Sequence, residues 1–179
     1  LIDGCSKSSN LDYLKNIYED MIQLNIKPTI VTYNTIMDSF IRLKDIKTAW
    51  KIYEDLLLND ILPDNFTYST LFRGIRYINV NNSNEKIYME KAFEILNTLA
   101  NNIDTSYNNN KIDIILINVL MDSCIFIKDT ENLQKLFDNV IYGYSHRNII
   151  TPDLITFNTY IKACAQLNLF QNAISAFEK

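Results

Sequence analysis

The chain has 179 residues, of which 47% are hydrophobic, so it can bury a core and is not a disordered polymer. Only three glycines and three prolines are present, too few for a fold built from tight hairpin turns, and an all-α class follows as the prediction. The net charge of −4 argues against nucleic-acid binding that depends on bulk positive charge.

An eight-residue segment recurs along the chain. It reads Val-Thr-Tyr-Asn-Thr-Ile-Met-Asp from Val31, and similar segments begin at Phe66, Ile115 and Ile155. The first two starts are 35 residues apart, while the later spacings of 49 and 40 contain additional polar, turn-rich residues. A recurrence of this length is the signature of a repeat protein, in which each copy is one supersecondary unit.

The recurrence predicts a single repeat array over residues 1–179. Part of a repeat is followed by three complete repeats and part of a fifth, with the boundaries 1–29, 30–64, 65–113, 114–153 and 154–179. Insertions are predicted near 79–86, 101–110 and 142–150, where Asn and other polar residues cluster.

Each copy contains two amphipathic halves. In the first half, apolar residues have the i, i+3, i+4, i+7 spacing of one helix face, as at Tyr33, Ile36, Met37 and Phe40. The second half repeats that spacing, as at Ala49, Ile52, Tyr53 and Leu56. We call the two predicted helices helix A and helix B. One hairpin cannot bury both apolar faces, so stacked hairpins forming a solenoid are predicted.

These segments resemble the pentatricopeptide repeat family, whose motif reads roughly Val-Thr-Tyr-Asn-Thr-Leu-Ile-Asp-Gly and closes on Gly-Ile-Lys-Pro-Asp. Residues 30–64 match it almost position for position, and the resemblance covers the whole chain. The tetratricopeptide family has a nearby period, but its Trp, Leu-Gly and Tyr signature is missing. The resemblance implies a right-handed superhelical solenoid of antiparallel helix pairs that binds single-stranded RNA, one base per repeat.

The resemblance also implies which residues contact RNA. The base would be chosen by the polar residue that follows the aromatic position of helix A, here Asn34, Ser69, Asn118 and Asn158. It would also be chosen by the residue that closes each repeat, here Thr29, Asp64, Asp113 and Asp153. The residue that opens helix A would flank each base, here Val31, Phe66, Ile115 and Ile155.

The family's recognition code implies base preferences and phosphate contacts. Asn34 with Asp64, and Asn118 with Asp153, would favour uracil. Ser69 with Asp113 would favour a purine, guanine before adenine. Family members often have a basic residue late in helix A that meets phosphate, which here makes Lys7 and Arg42 the candidates, whereas Tyr77, Phe126 and Gln166 depart from that pattern.

No residue pattern points to catalysis, a metal or a cofactor. The three cysteines occupy one repeated position on the apolar face without a Cys-x-x-Cys pair, at Cys5, Cys124 and Cys164, which indicates small core residues. His146 stands alone in an insertion, without a nucleophile nearby. The chain is therefore not expected to be an enzyme itself, and no small-molecule substrate is predicted.

Cellular location is predicted only by resemblance. No apolar run approaches the roughly 20 residues that span a bilayer, so no membrane association is expected. The first residues, Leu-Ile-Asp-Gly-Cys, lack the pattern of a targeting segment. Family members act mostly in mitochondria or plastids, on the processing, stability or translation of RNA.

Two alternative functions stay open. The chain could be the repeat region of an enzyme like protein-only RNase P, or a scaffold for protein partners, which the acidic charge favours.

Overall fold

A computed structural model of the chain describes residues 11–79, 82–101, 112–144 and 150–178. Within these ranges there is no strand, and the α-helices are α1 Leu11–Gln23, α2 Ile30–Arg42, α3 Ile46–Leu58, α4 Asn65–Gly74, α5 Ser83–Asn101, α6 Ile114–Ile127, α7 Thr130–Asp138, α8 Leu154–Gln166 and α9 Phe170–Phe177. A 3-10 turn, Ile75–Tyr77, follows α4, and a π-helix, Asn139–Tyr144, follows α7. The predicted all-α fold class is confirmed.

Even-numbered helices correspond to helix A and odd-numbered helices to helix B. Parts of the predicted insertions, namely residues 80, 81, 102–110 and 145–149, lie outside the described residues. Lys7, Cys5 and His146 lie outside them as well.

The helices form two compact units, Leu1–Gly74 and Ile75–Lys179, which we call the first and second units. In the first unit α2 packs against both α3 and α4. The predicted apolar face of α2 is buried, since Tyr33, Ile36, Met37 and Phe40 are each no more than 1% exposed. Helices α2 and α4 approach closely at Gly74, where a Cβ atom would collide with the Ile41 side chain.

In the second unit α6 packs against α7 and α8, and α8 packs against α9. Its core includes Leu120, Met121 and Cys124 from α6, all fully buried. On the neighbouring helices Phe137 stacks on Tyr160, with ring centroids 3.7 Å apart and the planes within 6° of parallel. Each unit therefore buries helix faces against the next pair, as a stack of hairpins requires.

Five of the turns between helices share one backbone geometry. Five non-glycine residues have φ between 54° and 62°, namely Asn25, Lys44, Asp60, Lys128 and Asn168. After each of them, an amide bonds back to a carbonyl five residues earlier, as from Asp45 to Phe40 over 2.9 Å. This is the Schellman closure of a helix. After α2, α6 and α8 it reverses the chain at the same point of the repeat and so sets those hairpins.

Candidate nucleic-acid interface

The residue that closes each repeat also begins the next helix A. Thr29, Asp64, Asp113 and Asp153 each accept a hydrogen bond from a backbone amide in the following first turn, over 2.7 to 3.4 Å. These bonds are N-caps, which satisfy amides that have no partner within the helix. The predicted base-specifying positions therefore have a structural role besides any contact with RNA.

Asn34, Asp64 and Thr67 form one hydrogen-bonded cluster in the first unit. Nδ2 of Asn34 donates to Oδ1 of Asp64 over 3.2 Å. The Thr67 hydroxyl lies 2.7 Å from Oδ1 of Asn34 and 2.9 Å from Oδ1 of Asp64. Asn34 is 6% exposed, and Thr67 is fully buried. The structure thus brings together a pair of predicted site residues, on α2 and at the start of α4.

Thr67 was not predicted as a site residue, although the repeat contains a signal for it. The second residue of the recurring segment is threonine in three copies, at Thr32, Thr67 and Thr156, and Leu116 in the remaining one. A recurrent threonine three residues after the closing residue is also the pattern of a capping box. The pattern alone therefore does not show that the threonine also bonds to the Asn side chain.

Asp153 and Thr156 repeat this cap at the start of α8. The amide and the hydroxyl of Thr156 both donate to Oδ1 of Asp153 over 2.7 Å. These bonds, with a smaller contribution from a bond to Asn118, hold the pKa of Asp153 below its usual range because they stabilise the carboxylate. Oδ1 of Asn118 is buried without a partner among the described residues, unlike Oδ1 of Asn34.

The remaining predicted residues have other surroundings. Oγ of Ser69 donates to the carbonyl oxygen of Phe66, 3.0 Å away in its own helix. Asp113 caps α6 through the amide of Ile115, and Leu116 occupies the position of the capping threonine. Asn158 is exposed on α8. Ser69 is therefore held by its own helix, and the cap formed by Asp113 lacks a threonine hydroxyl.

The residues predicted to flank bases are exposed apolar side chains. Their exposed fractions lie between 55% and 69%, at Val31, Phe66, Ile115 and Ile155. They occupy the same position in four successive helices A, while the side chains two residues later are buried or largely buried. Apolar groups that stay exposed at one repeated position are available for contact with a ligand.

An acidic residue at the same position of helix A binds two cations in each unit. In the first unit Asp38 pairs with Arg42, 2.6 Å away, and with Arg73. In the second unit Asp122 pairs with Arg76 over 2.7 Å and with Lys162 over 3.3 Å. Each group of three side chains therefore has a local formal charge of +1, despite the acidic chain as a whole.

Arg42 was predicted from the sequence, whereas Arg73, Arg76 and Lys162 were not. For Arg73 and Lys162 the signal is an alternation of charge at one position of the repeat, which is occupied in turn by Asp38, Arg73, Asp122 and Lys162. Arg76 also lies over the ring of Phe126, with its guanidinium carbon 4.4 Å from the ring centroid. Arg76 therefore places a cation beside Phe126, which occupies the repeat position where family members often have a basic residue.

Cys124 and Cys164 are fully buried and unpaired by disulfides. Burial raises the pKa of the Cys124 thiol, so it packs as a neutral small side chain.

Among the described residues, no three His, Cys, Asp or Glu side chains are grouped so as to hold a metal ion. No helix in the described ranges is long and apolar enough to cross a membrane.

Replacing Thr156 with valine is expected to raise the pKa of Asp153 toward its ordinary value of about 3.9, because the substitution removes a hydroxyl donor to the carboxylate. A carboxylate with a lowered folded pKa stabilises the fold above the unfolded pKa, and this contribution is lost as pH falls through the folded pKa. NMR titration of the Asp153 carboxyl carbon measures the change, with Thr159→Val on the same helix as the control. An unchanged pKa in Thr156→Val would contradict the assignment.

Helix pairs with a capped polar cluster at the start of helix A define a helical-hairpin repeat protein. Three family models match the chain: a pentatricopeptide repeat domain over residues 1–42, a PPR repeat family over 28–76, and a PPR repeat over 155–179. Together these matches include more than half of the chain. The chain belongs to the pentatricopeptide repeat family, as its sequence predicts.

Two solved structures share the fold. Both are crystal structures of the pentatricopeptide repeat protein PPR10 in complex with an 18-nt psaJ RNA element, one of them a triple cysteine-to-serine variant. Each match covers 99% of this chain at 16% identity, with a TM-score of 0.69. The chain spans only 23% of the length of that protein chain. A comparison with curated proteins gave no match.

Proposed function

We propose that this chain binds single-stranded RNA and that each complete repeat contacts one base. The observation that carries the proposal is the cluster of Asn34, Asp64 and Thr67, with the exposed Phe66 two residues after Asp64. An amide offers a donor and an acceptor to a base edge. An exposed aromatic ring offers a stacking surface. The RNA in the PPR10 complexes, which have the same fold, supports the same class of ligand.

The proposed preference is uracil, then a purine, then uracil. Uracil has an N–H between two carbonyl oxygens on its pairing edge, which suits an Asn amide at Asn34 and at Asn118. We assign a purine to the pair Ser69 and Asp113, with guanine preferred over adenine. Ser69 has a hydroxyl bound within its own helix, so discrimination at this middle base is expected to be weak.

Local charge supports RNA contact although the net charge is −4. Screening in physiological salt acts over roughly 8 Å, so a phosphate senses mainly the charges nearest to it. The groups centred on Asp38 and Asp122 each contain two cations for one acid. The side chains of Arg42, Arg73 and Lys162 are between 43% and 59% exposed, so these three cations are accessible to a phosphate.

Replacing Arg42 with glutamine is expected to weaken RNA binding and to reduce the salt dependence of the affinity. The slope of log affinity against log salt should fall by about 0.7, the value for one phosphate contact with a single strand. Fluorescence anisotropy at several salt concentrations measures it. Lys51→Gln, which removes an exposed cation from helix B, should leave the slope unchanged. Equal slopes for all three proteins would contradict a phosphate contact by Arg42.

The test of the proposal is anisotropy with the full-length protein and RNAs that vary at each of the three assigned bases. Base-dependent affinity in the order uracil, purine, uracil is the expected result. Equal affinity for every sequence would remove base reading from the proposal. Failure to bind any RNA would favour the second candidate, a scaffold for protein partners, which the net charge of −4 supports.

The resemblance to family members that act on organellar transcripts extends the proposal to the cell. We place this protein in mitochondria or plastids, where it would act in RNA processing, stability or translation. Imaging of the full-length protein with a fluorescent fusion partner tests the location. A signal confined to the cytosol would contradict it.

A further inference from the structure

Thr67 lies behind the residue pair proposed to read the first base. Resting on the proposed function, we infer that Thr67 is a positioning residue, whose hydroxyl orients the Asn34 amide and thereby sets which of its groups meets the base. The observation is a hydrogen bond of 2.7 Å between the Thr67 hydroxyl and Oδ1 of Asn34, within a site where Thr67 is fully buried.

The orientation of an Asn amide is a choice between two rotations that exchange its oxygen and its nitrogen. The Asp64 carboxylate can only accept hydrogen bonds, so it selects the Nδ2 group of Asn34. The amide of Asp64 donates to the Thr67 oxygen over 3.2 Å, which leaves the hydroxyl proton of Thr67 free to be donated. Oδ1 of Asn34 at 2.7 Å and Oδ1 of Asp64 at 2.9 Å are both within reach of that proton, and Oδ1 of Asn34 is the nearer acceptor.

The opposite rotation of the Asn34 amide would lose both interactions. Oδ1 would then face the Asp64 carboxylate, and two acceptors would meet without a proton between them. Nδ2 could donate to the Thr67 oxygen only if the Thr67 proton moved to Oδ1 of Asp64, 2.9 Å away, and that exchange would still leave the two facing acceptors without a proton. Because Asn34 is 6% exposed, water cannot readily replace the lost partners. Thr67 and Asp64 therefore hold one rotation together.

A fixed rotation leaves one N–H of Nδ2 and one lone pair of Oδ1 for the base, in a set order. Thr67 itself is fully buried behind Asn34 and acts through it. Thr156 makes the same bond to Asp153, but Oδ1 of Asn118 is buried without a partner among the described residues, so the inference is confined to Thr67. The cap formed by Asp113 has Leu116 and no hydroxyl. The base assigned to Ser69 and Asp113 is accordingly expected to be the least discriminated.

The test compares the affinities of the full-length protein for four RNAs that differ only at the base assigned to Asn34. Thr67→Val removes the hydroxyl and keeps the shape, and it should lower the ratio between the preferred and the other bases by roughly two- to tenfold. Thr67→Ser keeps the hydroxyl and should keep the ratio. The matched control is Thr48→Val, which removes an equivalent threonine–aspartate cap from helix α3. The control should leave the ratio unchanged.

The outcomes separate the inference from the function on which it rests. If the unsubstituted protein binds all four RNAs equally, both are overturned. If it discriminates and Thr67→Val discriminates equally well, the inference alone is overturned. A fall in the ratio that Thr48→Val shares would also overturn it, because loss of a cap would then suffice. If Thr67→Val loses its helical circular dichroism, Thr67→Ala takes its place in the same comparison.

Discussion

Replacing Asn34 with alanine is expected to cost roughly 1–3 kcal/mol of discrimination at one base, the range for a side chain that makes two hydrogen bonds to a base edge. The substitution removes the donor and the acceptor together and leaves Asp64 and Thr67 without their shared partner. Affinity for the preferred RNA should fall, while affinity for the other three bases should change little. Anisotropy with RNAs that vary at this base measures both quantities.

The control for this experiment is Asn59→Ala. Asn59 follows helix α3 and also loses two hydrogen bonds on substitution, to the Tyr33 hydroxyl and to the Asp55 carbonyl oxygen. It shares the chemistry of the Asn34 change and lies at the end of helix B. Discrimination should therefore survive in Asn59→Ala. If the Asn34→Ala protein kept its base preference, Asn34 would be a structural residue only.

Replacing Phe40 with alanine is expected to lower the free energy of unfolding by about 3–5 kcal/mol. Phe40 is 1% exposed on the buried face of α2, so its removal loses apolar burial and leaves a cavity. Phe66→Ala is the same substitution at a side chain that is 55% exposed, and it should change stability little. Urea unfolding followed by circular dichroism gives both values.

For RNA binding, Phe66→Ala should have the larger effect and Phe40→Ala the smaller. Phe66→Ala should weaken binding by roughly 1–3 kcal/mol, the effect of removing an aromatic stacking surface. Phe40→Ala should bind with unchanged base preference under conditions in which it is folded. Similar stability losses in the two variants would contradict the assignment of Phe40 to the core and Phe66 to the surface.

The helix faces could be predicted from the sequence because burial follows a period that the chain displays directly. Tyr33, Ile36 and Met37 have helical spacing, and all three are fully buried. The turn geometry could not be predicted in this way. Lys44 and Lys128 adopt positive φ without glycine, since the helix-closing hydrogen bonds and the packing of the next helix compensate for the unfavourable backbone.

The site could be predicted in part. The repeat places Asn34 and Asp64 at matched positions, and the structure brings them into contact. Thr67 could not be assigned from the repeat alone, because threonine at that position is equally explained by a capping box. Arg42 could be named from its place in helix A, and its i,i+4 spacing from Asp38 allows the two to pair on one helix. The second pair, between Asp38 and Arg73 of another helix, could not be predicted from the sequence.

By itself, the sequence determined the repeat period, the all-α class and the positions at which polar and exposed apolar residues recur. Each of these follows from the spacing of residues along the chain. The tertiary structure alone decided which of those residues meet. Thr67 reaches Asn34 across 33 residues of chain, and Arg73 reaches Asp38 across 35. Contacts of this kind depend on how closely α2 and α4 pack and on the rotation of each helix, which the pattern along one helix does not specify.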